Sequence, residues 1–236
     1  MKQLKHLLIL ALLSLSTSLS SAADVRGQVT AAAKLLGAKP VYSWTTSTRD
    51  ADGRGGPLGP IDGKSEKSGL TWLSFVVGGL PVEVYMQGTN GTAKAFEGWQ
   101  TFDEVARTGA TPAAVIRYLR SYQTPVTESA ALAAKIKELK PVDDALAGDL
   151  PEDTVKEMLL IGARRREGQE PQTADAKGTI KYWIKEGALT KYEINVQGKV
   201  TSGDRESVIN RTVKVEIKDV GATKLEVPAE AKQKMI

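Results

Sequence analysis

Carboxylates are the only side chains in this sequence numerous and close enough to suggest catalysis. Asp143-Asp144 and Glu152-Asp153 are the best pairs, and two carboxyl groups held about 5 to 9 Å apart can run glycoside hydrolysis. Adjacent residues point apart, however, and helix starts attract acids through the helix dipole, so both pairs read as turn and helix-start residues. Asp50-Ala51-Asp52-Gly53 begins like a calcium loop, but the twelfth position counted from Asp50 is Ile61, where that loop needs a glutamate. Gly53-Arg54-Gly55-Gly56 lacks the Gly-Lys-Ser/Thr ending of a phosphate loop and feeds no evident helix. Asn90-Gly91-Thr92 and Asn210-Arg211-Thr212 fit the glycosylation acceptor pattern, and read as exposed turns or strand ends. The sole histidine is His6, and the chain has no cysteine.

That histidine lies in a segment built for export. Lys2, Lys5 and His6 precede an apolar run from Leu7 to Leu15, and small residues follow to Ser21-Ala22-Ala23. This is the order of a secretory signal peptide, with cleavage expected after Ala22 or Ala23. Ser14, Ser16, Thr17 and Ser18 interrupt the apolar run well before the roughly 20 residues a spanning helix needs. Without cysteine there is no acyl-anchored amino terminus, so the expected product is a soluble periplasmic or extracellular domain over residues 24–236, free of a stable membrane anchor. It would contain neither His nor Cys, which removes Ser-His-Asp and Cys-His nucleophilic chemistry together with His- or thiolate-ligated metal. No catalytic residue, metal or cofactor is therefore expected. Losing Lys2 and Lys5 lowers the formal net charge of +4 to near +2. A nearly neutral chain whose one basic run, Arg164-Arg165-Arg166, is followed at once by Glu167 does not read as a nucleic-acid binder.

What remains with the power to bind is aromatic. Tyr42, Trp44, Trp72, Phe75, Tyr85, Tyr182 and Ile184 fall in stretches rich in β-branched and aromatic residues, and are the candidates to line a ligand cavity. Strands are expected at 41–48, 70–77 and 82–86, with Asn90-Gly91 as a hairpin turn returning through 92–96. A meander is expected from Gly178 onward, turning at Glu186-Gly187 and at Ser202-Gly203-Asp204-Arg205, with Leu225-Glu226-Val227-Pro228 as a short edge strand and a polar tail behind it. An opening helix carries Val25, Val29, Ala32, Ala33 and Leu36, with Gly37 as its C-cap. A central helical block over about 101–166 starts at the capping box Thr101-Phe102-Asp103-Glu104. It continues from Thr111-Pro112, along Thr127 to Leu139, and from Asp149-Leu150-Pro151-Glu152; Glu167 to Lys177 reads as a loop.

Tyr182-Trp183-Ile184, Gly187-Ala188-Leu189 and Tyr192-Glu193 resemble the strand pair of the LolA and LppX type of periplasmic lipoprotein-carrier domain. The closing Val220 to Pro228, and Tyr42 to Thr48 running into Asp52-Gly53, are similar to that family's last strand and first hairpin. The resemblance covers the two sheet-forming ends. It implies an α+β fold, a curved antiparallel sheet forming an incomplete barrel with helices in or against its concave face. It also implies carriage of lipid or lipoprotein acyl chains through the envelope. The family's lid-locking arginine has no evident counterpart here. The competing reading is a structural or interaction module whose sheet is filled by its own helices and whose partner is another envelope protein.

Overall fold

Alternation along the strands decides the architecture. The computed structural model describes residues 22–53, 59–95, 98–108, 113–161 and 170–235. Its strands are β1 (Val41–Asp50), β2 (Ile61–Glu66), β3 (Leu70–Val77), β4 (Leu80–Gln87), β5 (Asn90–Ala95), β6 (Gly98–Thr101), β7 (Lys140–Val142), β8 (Ala145–Asp149), β9 (Gln172–Lys185), β10 (Ala188–Ser202) and β11 (Arg205–Lys218). All join in one sheet of order β6-β5-β4-β3-β2-β1-β11-β10-β9-β8-β7, and every pairing is antiparallel. The sheet ends in β6 and β7 and does not close on itself, which makes it the incomplete barrel that the sequence resemblance implies. The first and last strands of the chain meet where β1 pairs with β11, and the register pair Asp50 and Arg211 is also an ion pair at 3.1 Å.

Residues at every second position face helices. Thr71, Leu73 and Phe75 of β3, and Tyr192, Ile194 and Val196 of β10, are buried on this face because a strand turns its side chains to opposite sides in turn. The helices are α1 (Ala22–Gly37), α2 (Phe102–Thr108), α3 (Ala113–Arg120), α4 (Pro125–Lys135), α5 (Glu152–Leu159) and α6 (Ala229–Lys234). All but α6 contribute to the main core against the sheet. The stripe Val25, Val29, Ala32, Ala33 and Leu36 buries α1 as its spacing requires. At α2 the capping box forms in both directions: the Thr101 amide donates to Glu104 Oε2 at 2.8 Å, and the Glu104 amide to Thr101 Oγ1 at 3.1 Å. Pro125 opens α4 in the first-turn position, where its missing N–H costs nothing.

Several expectations are corrected. The hairpin between β4 and β5 turns at Gly88-Thr89, so Asn90 and Gly91 already lie in β5. Gly88 supplies the positive φ of 62°, while Gly91 is needed for another reason. A Cβ there would lie 2.6 Å from the Phe102 ring and 2.7 Å from the Tyr85 carbonyl oxygen. Helix α4 stops at Lys135 rather than Leu139, although Ile136 and Leu139 stay buried. Strand β2 occupies a stretch without an expected strand, and the hairpin β7–β8 interrupts the helical block expected over about 101–166, Asp143 making its turn at φ 54°. Strand β9 starts at Gln172, inside the expected Glu167 to Lys177 loop; residues 162–169 and the Thr111-Pro112 helix start lie outside the described residues. Leu225 to Pro228 forms no edge strand. It crosses the outer face as a strap, and the expected polar tail behind it is α6, with Ala231 fully buried.

Candidate ligand cleft on the helix face

Five of the seven aromatic and aliphatic candidates lie on the helix-covered face. Tyr42, Trp44, Phe75 and Tyr182 are buried in the main core, and Ile184 packs partly buried against it. Trp72 and Tyr85 are register partners on the opposite face, where with Trp99 they receive Leu225, Val227, Ala231 and Met235 of the strap. The Tyr85 hydroxyl donates to the Glu226 carbonyl at 2.9 Å and Trp72 Nε1 to Glu83 at 2.8 Å. Trp72 and Phe75 are three apart in one strand, so the pleat sends them to different faces.

Trp44 shows how tightly the floor is built. Its partner in β2 is Gly63, and its indole lies where a Gly63 side chain would stand: a built Cβ falls 2.2 Å from Cε2 and Cζ2. Trp44 Nε1 donates to the Tyr122 hydroxyl at 3.2 Å, and the Tyr42 ring lies 5.5 Å away, centroid to centroid.

Around this pair the chain gathers phenols. Tyr118 and Tyr122, one turn apart, meet edge to face at 5.7 Å. Tyr182 and Tyr192 are register partners across the β9–β10 hairpin, 6.2 Å apart. Tyr182 donates to the Ser129 carbonyl at 3.2 Å, and Tyr192 donates to the carboxylate of Glu128 on α4. Burial pushes the Glu128 carboxyl above the usual range, the hydrogen bond from Tyr192 opposing it. Burial, with Glu128 nearby, raises the hydroxyls of Tyr118, Tyr122, Tyr182 and Tyr192 in turn. Glu128, Tyr118 and Tyr122 are deep, yet each retains some accessible surface.

Beside this cluster a half-open cleft of about 340 Å³ enters between α4 and the ends of β1 to β4. Tyr42, Met86, Tyr122 and Val126 give it apolar wall; Ser65, Thr124 and Thr127 give it hydrogen-bonding groups. The carboxylate pairs weighed in the sequence do not converge on it. Asp144 accepts from Trp183 Nε1 at 2.9 Å on the outer face, and Glu152 and Asp153 both face Lys156 within the first turn of α5.

The sequence candidates omit Tyr118, Tyr122, Tyr192 and Glu128. The first two stand four apart, Tyr118 in α3 and Tyr122 just past its end, and Tyr192 follows from the Glu186-Gly187 turn by counting outward, so their convergence had a readable spacing. Glu128 had none, since an acid in a first helical turn is ordinary.

An open antiparallel sheet with one face covered by helices, and a cleft at their junction, defines a half-barrel fold. No family model and no curated protein matches the chain. Similar solved structures include LprF from Mycobacterium bovis, 10% identical, covering 90% of this chain and 99% of that one with a TM-score of 0.48. Lipoprotein LppX from Mycobacterium tuberculosis is 13% identical over 88% of this chain and 100% of its own, at 0.46. A LolA superfamily protein from Nitrosomonas europaea is 8% identical over 85% and 94%, at 0.36. These likenesses are ones of fold. Among the described residues no helix is long and apolar enough to cross a membrane.

Proposed function

We propose that the chain is exported by cleavage after Ala22 or Ala23, and that residues 24–236 act as one non-enzymatic carrier domain. It holds a lipid or acyl chain on the helix face of the half-barrel. The observation carrying this reading is the cleft of about 340 Å³, within the ~300–1,000 Å³ of ligand sites. It opens onto an aromatic floor instead of a catalytic constellation. Burying an acyl chain there would gain roughly 0.8 kcal/mol per methylene. To test it, protein exported with its own leader is extracted and analysed by mass spectrometry, then titrated with a pyrene-labelled monoacylglycerol. Co-purifying lipid and saturable uptake are expected; a lipid-free protein that takes up no probe would refute carriage. Amino-terminal sequencing of the same material should begin at Ala23 or Asp24.

Packing supplies an observation for a second reading, an envelope interaction module with a self-filled sheet. Trp44, Tyr182, Tyr192 and Leu36 are at most 1% exposed, so the middle of the helix face is occupied. Under that reading the monoacylglycerol titration is flat while the protein retains a partner in the envelope.

A further inference from the structure

The polar side chains lining the cleft are mostly hydroxyls. Six of its fourteen lining residues carry one, Tyr42, Ser65, Thr71, Tyr122, Thr124 and Thr127, and they form a band from β2 and β3 across to α4. Ser65 and Thr71 share a hydrogen bond at 3.1 Å, and Thr124 and Thr127 share one at 3.2 Å. The Tyr42 hydroxyl lies between these pairs, beside Ser65 and Thr124. Tyr122 accepts from Trp44 Nε1, which leaves its own proton to donate. A hydroxyl carries one proton and two lone pairs and rotates to suit its partner, so the band can donate to a guest or accept from it.

Charge is confined to the mouth. Glu66 and Lys67, consecutive and of opposite sign, stand where β2 ends. The pleat sends Glu66 to the face opposite buried Ser65, where the Ser68 hydroxyl donates to it at 3.3 Å, and Lys67 is exposed. The start of α4 offers an anion little. Pro125 has no N–H, the Val126 backbone lies beside the Tyr42 hydroxyl, and Glu128 in the first turn offsets the helix dipole. Burial pushes the Tyr42 and Tyr122 hydroxyls upward, which keeps both protonated and neutral. An ion drawn in here loses water without gaining a counter-charge. A neutral hydroxylated group exchanges one set of hydrogen bonds for another.

We infer that the cleft selects a lipid with an uncharged, hydroxyl-bearing head group of the kind a monoacylglycerol presents, set against the band from Thr71 to Thr127 with its chain along the apolar wall of Met86 and Val126. This rests on the carrier reading above and adds the chemistry of the head group to it.

The test is a titration of the mature protein with monododecanoylglycerol, dodecanoate and dodecyltrimethylammonium, each below its aggregation concentration, followed by tryptophan fluorescence and calorimetry. The glyceride should bind on the order of tenfold or more tightly than either ion. Thr71→Val combined with Thr127→Val removes two hydroxyls at nearly constant volume. It should weaken the glyceride on the order of tenfold and leave the ions as they were. Thr127→Lys, at an exposed position of the cleft wall, supplies the missing counter-charge. It should raise dodecanoate at least to the affinity of the glyceride, and serves if the valine variant does not fold. Equal affinities for the three head groups, tighter binding of either ion, a glyceride affinity unmoved by the valine pair, or a dodecanoate affinity indifferent to Thr127→Lys would overturn the assignment while leaving carriage standing. Failure of all three to bind would remove both.

Discussion

Gly63→Ala puts one methyl group into the most crowded point of the floor. The added Cβ would lie 2.2 Å from two atoms of the Trp44 indole and 2.8 Å from a third, far inside contact distance, and the obstacle is a rigid bicyclic ring. Trp44 is 1% exposed and its N–H is committed to Tyr122, so the ring cannot slide without breaking that bond. Overpacking of this kind costs about 1–3 kcal/mol, and a buried N–H left unpaired costs about 1–3 kcal/mol more. Because partial relief of one worsens the other, a total of roughly 2–5 kcal/mol is expected. The assay is urea unfolding followed by fluorescence, with Gly27→Ala as the control. Gly27 is exposed in α1 with open space around it, and there alanine should stabilise by about 0.5–1 kcal/mol. Trp44→Leu made together with Gly63→Ala should cost less than the sum of the two, since the clash disappears with the indole. If Gly63→Ala unfolds within about 0.5 kcal/mol of the parent, with unchanged native emission, the stacking of Trp44 on β2 is refuted.

Glu128→Gln should change the pH dependence of stability. The carboxyl's folded pKa is raised, so the stability it contributes is complete below its unfolded pKa and is lost as pH rises through the folded one. The variant, which cannot ionise, should gain on the parent over that rise by at most about 1.4 kcal/mol per pH unit; parallel stability profiles would contradict this. Leu159→Ala should cost about 2–5 kcal/mol, and Gly198→Ala about 1–3 kcal/mol, since a Cβ on Gly198 would stand 2.6 Å from Leu159 Cδ1. The double variant should recover part of that sum in denaturant unfolding, and strict additivity would count against the contact. Hydrogen exchange should release the amides of 127–130 in α4 before those of 155–159 in α5; the reverse order would show the first turns of α4 to be the more firmly held.

Strand periodicity made the sheet readable, because one buried face imposes a period of two on β3, β10 and β11. What escaped depended on contacts between distant residues. Gly91 reads as a turn glycine in isolation, and only the Phe102 ring above it explains its place in β5. Leu225 to Pro228 has strand composition, but its apolar residues pack, partly buried, with Trp72, Tyr85 and Trp99 rather than pairing at an edge. The aromatic candidates were found as strand residues and could not be sorted between faces without a register. For Trp72 and Phe75, three apart in one strand, the pleat itself would have done it. Glu128 was invisible for a stronger reason. Its significance lies in phenols that come from α3, β9 and β10, and no local pattern joins them.

The contacts beneath the helices differ in kind, and the difference bears on where a ligand can enter. Helix α5 rests on Gly178 and Gly198, and the segment after α4 rests on Gly148, each with helix-side atoms less than 3.0 Å from where a Cβ would be. Such contacts depend on dispersion at short range and are forfeited almost entirely by a small separation. The first turns of α4 meet the sheet instead through the long side chains of Tyr182 and Tyr192, which end in hydrogen bonds to Ser129 and Glu128. Hydrogen bonds can be exchanged for water or for a ligand head group at a small net cost, whereas close apolar packing has no such substitute. The cleft lies at this end of α4, lined by Thr124, Val126 and Thr127. The same residues that make the helix face polar there make it the part of the plug cheapest to lift, so the entrance falls where hydrogen bonds rather than close packing hold the helix.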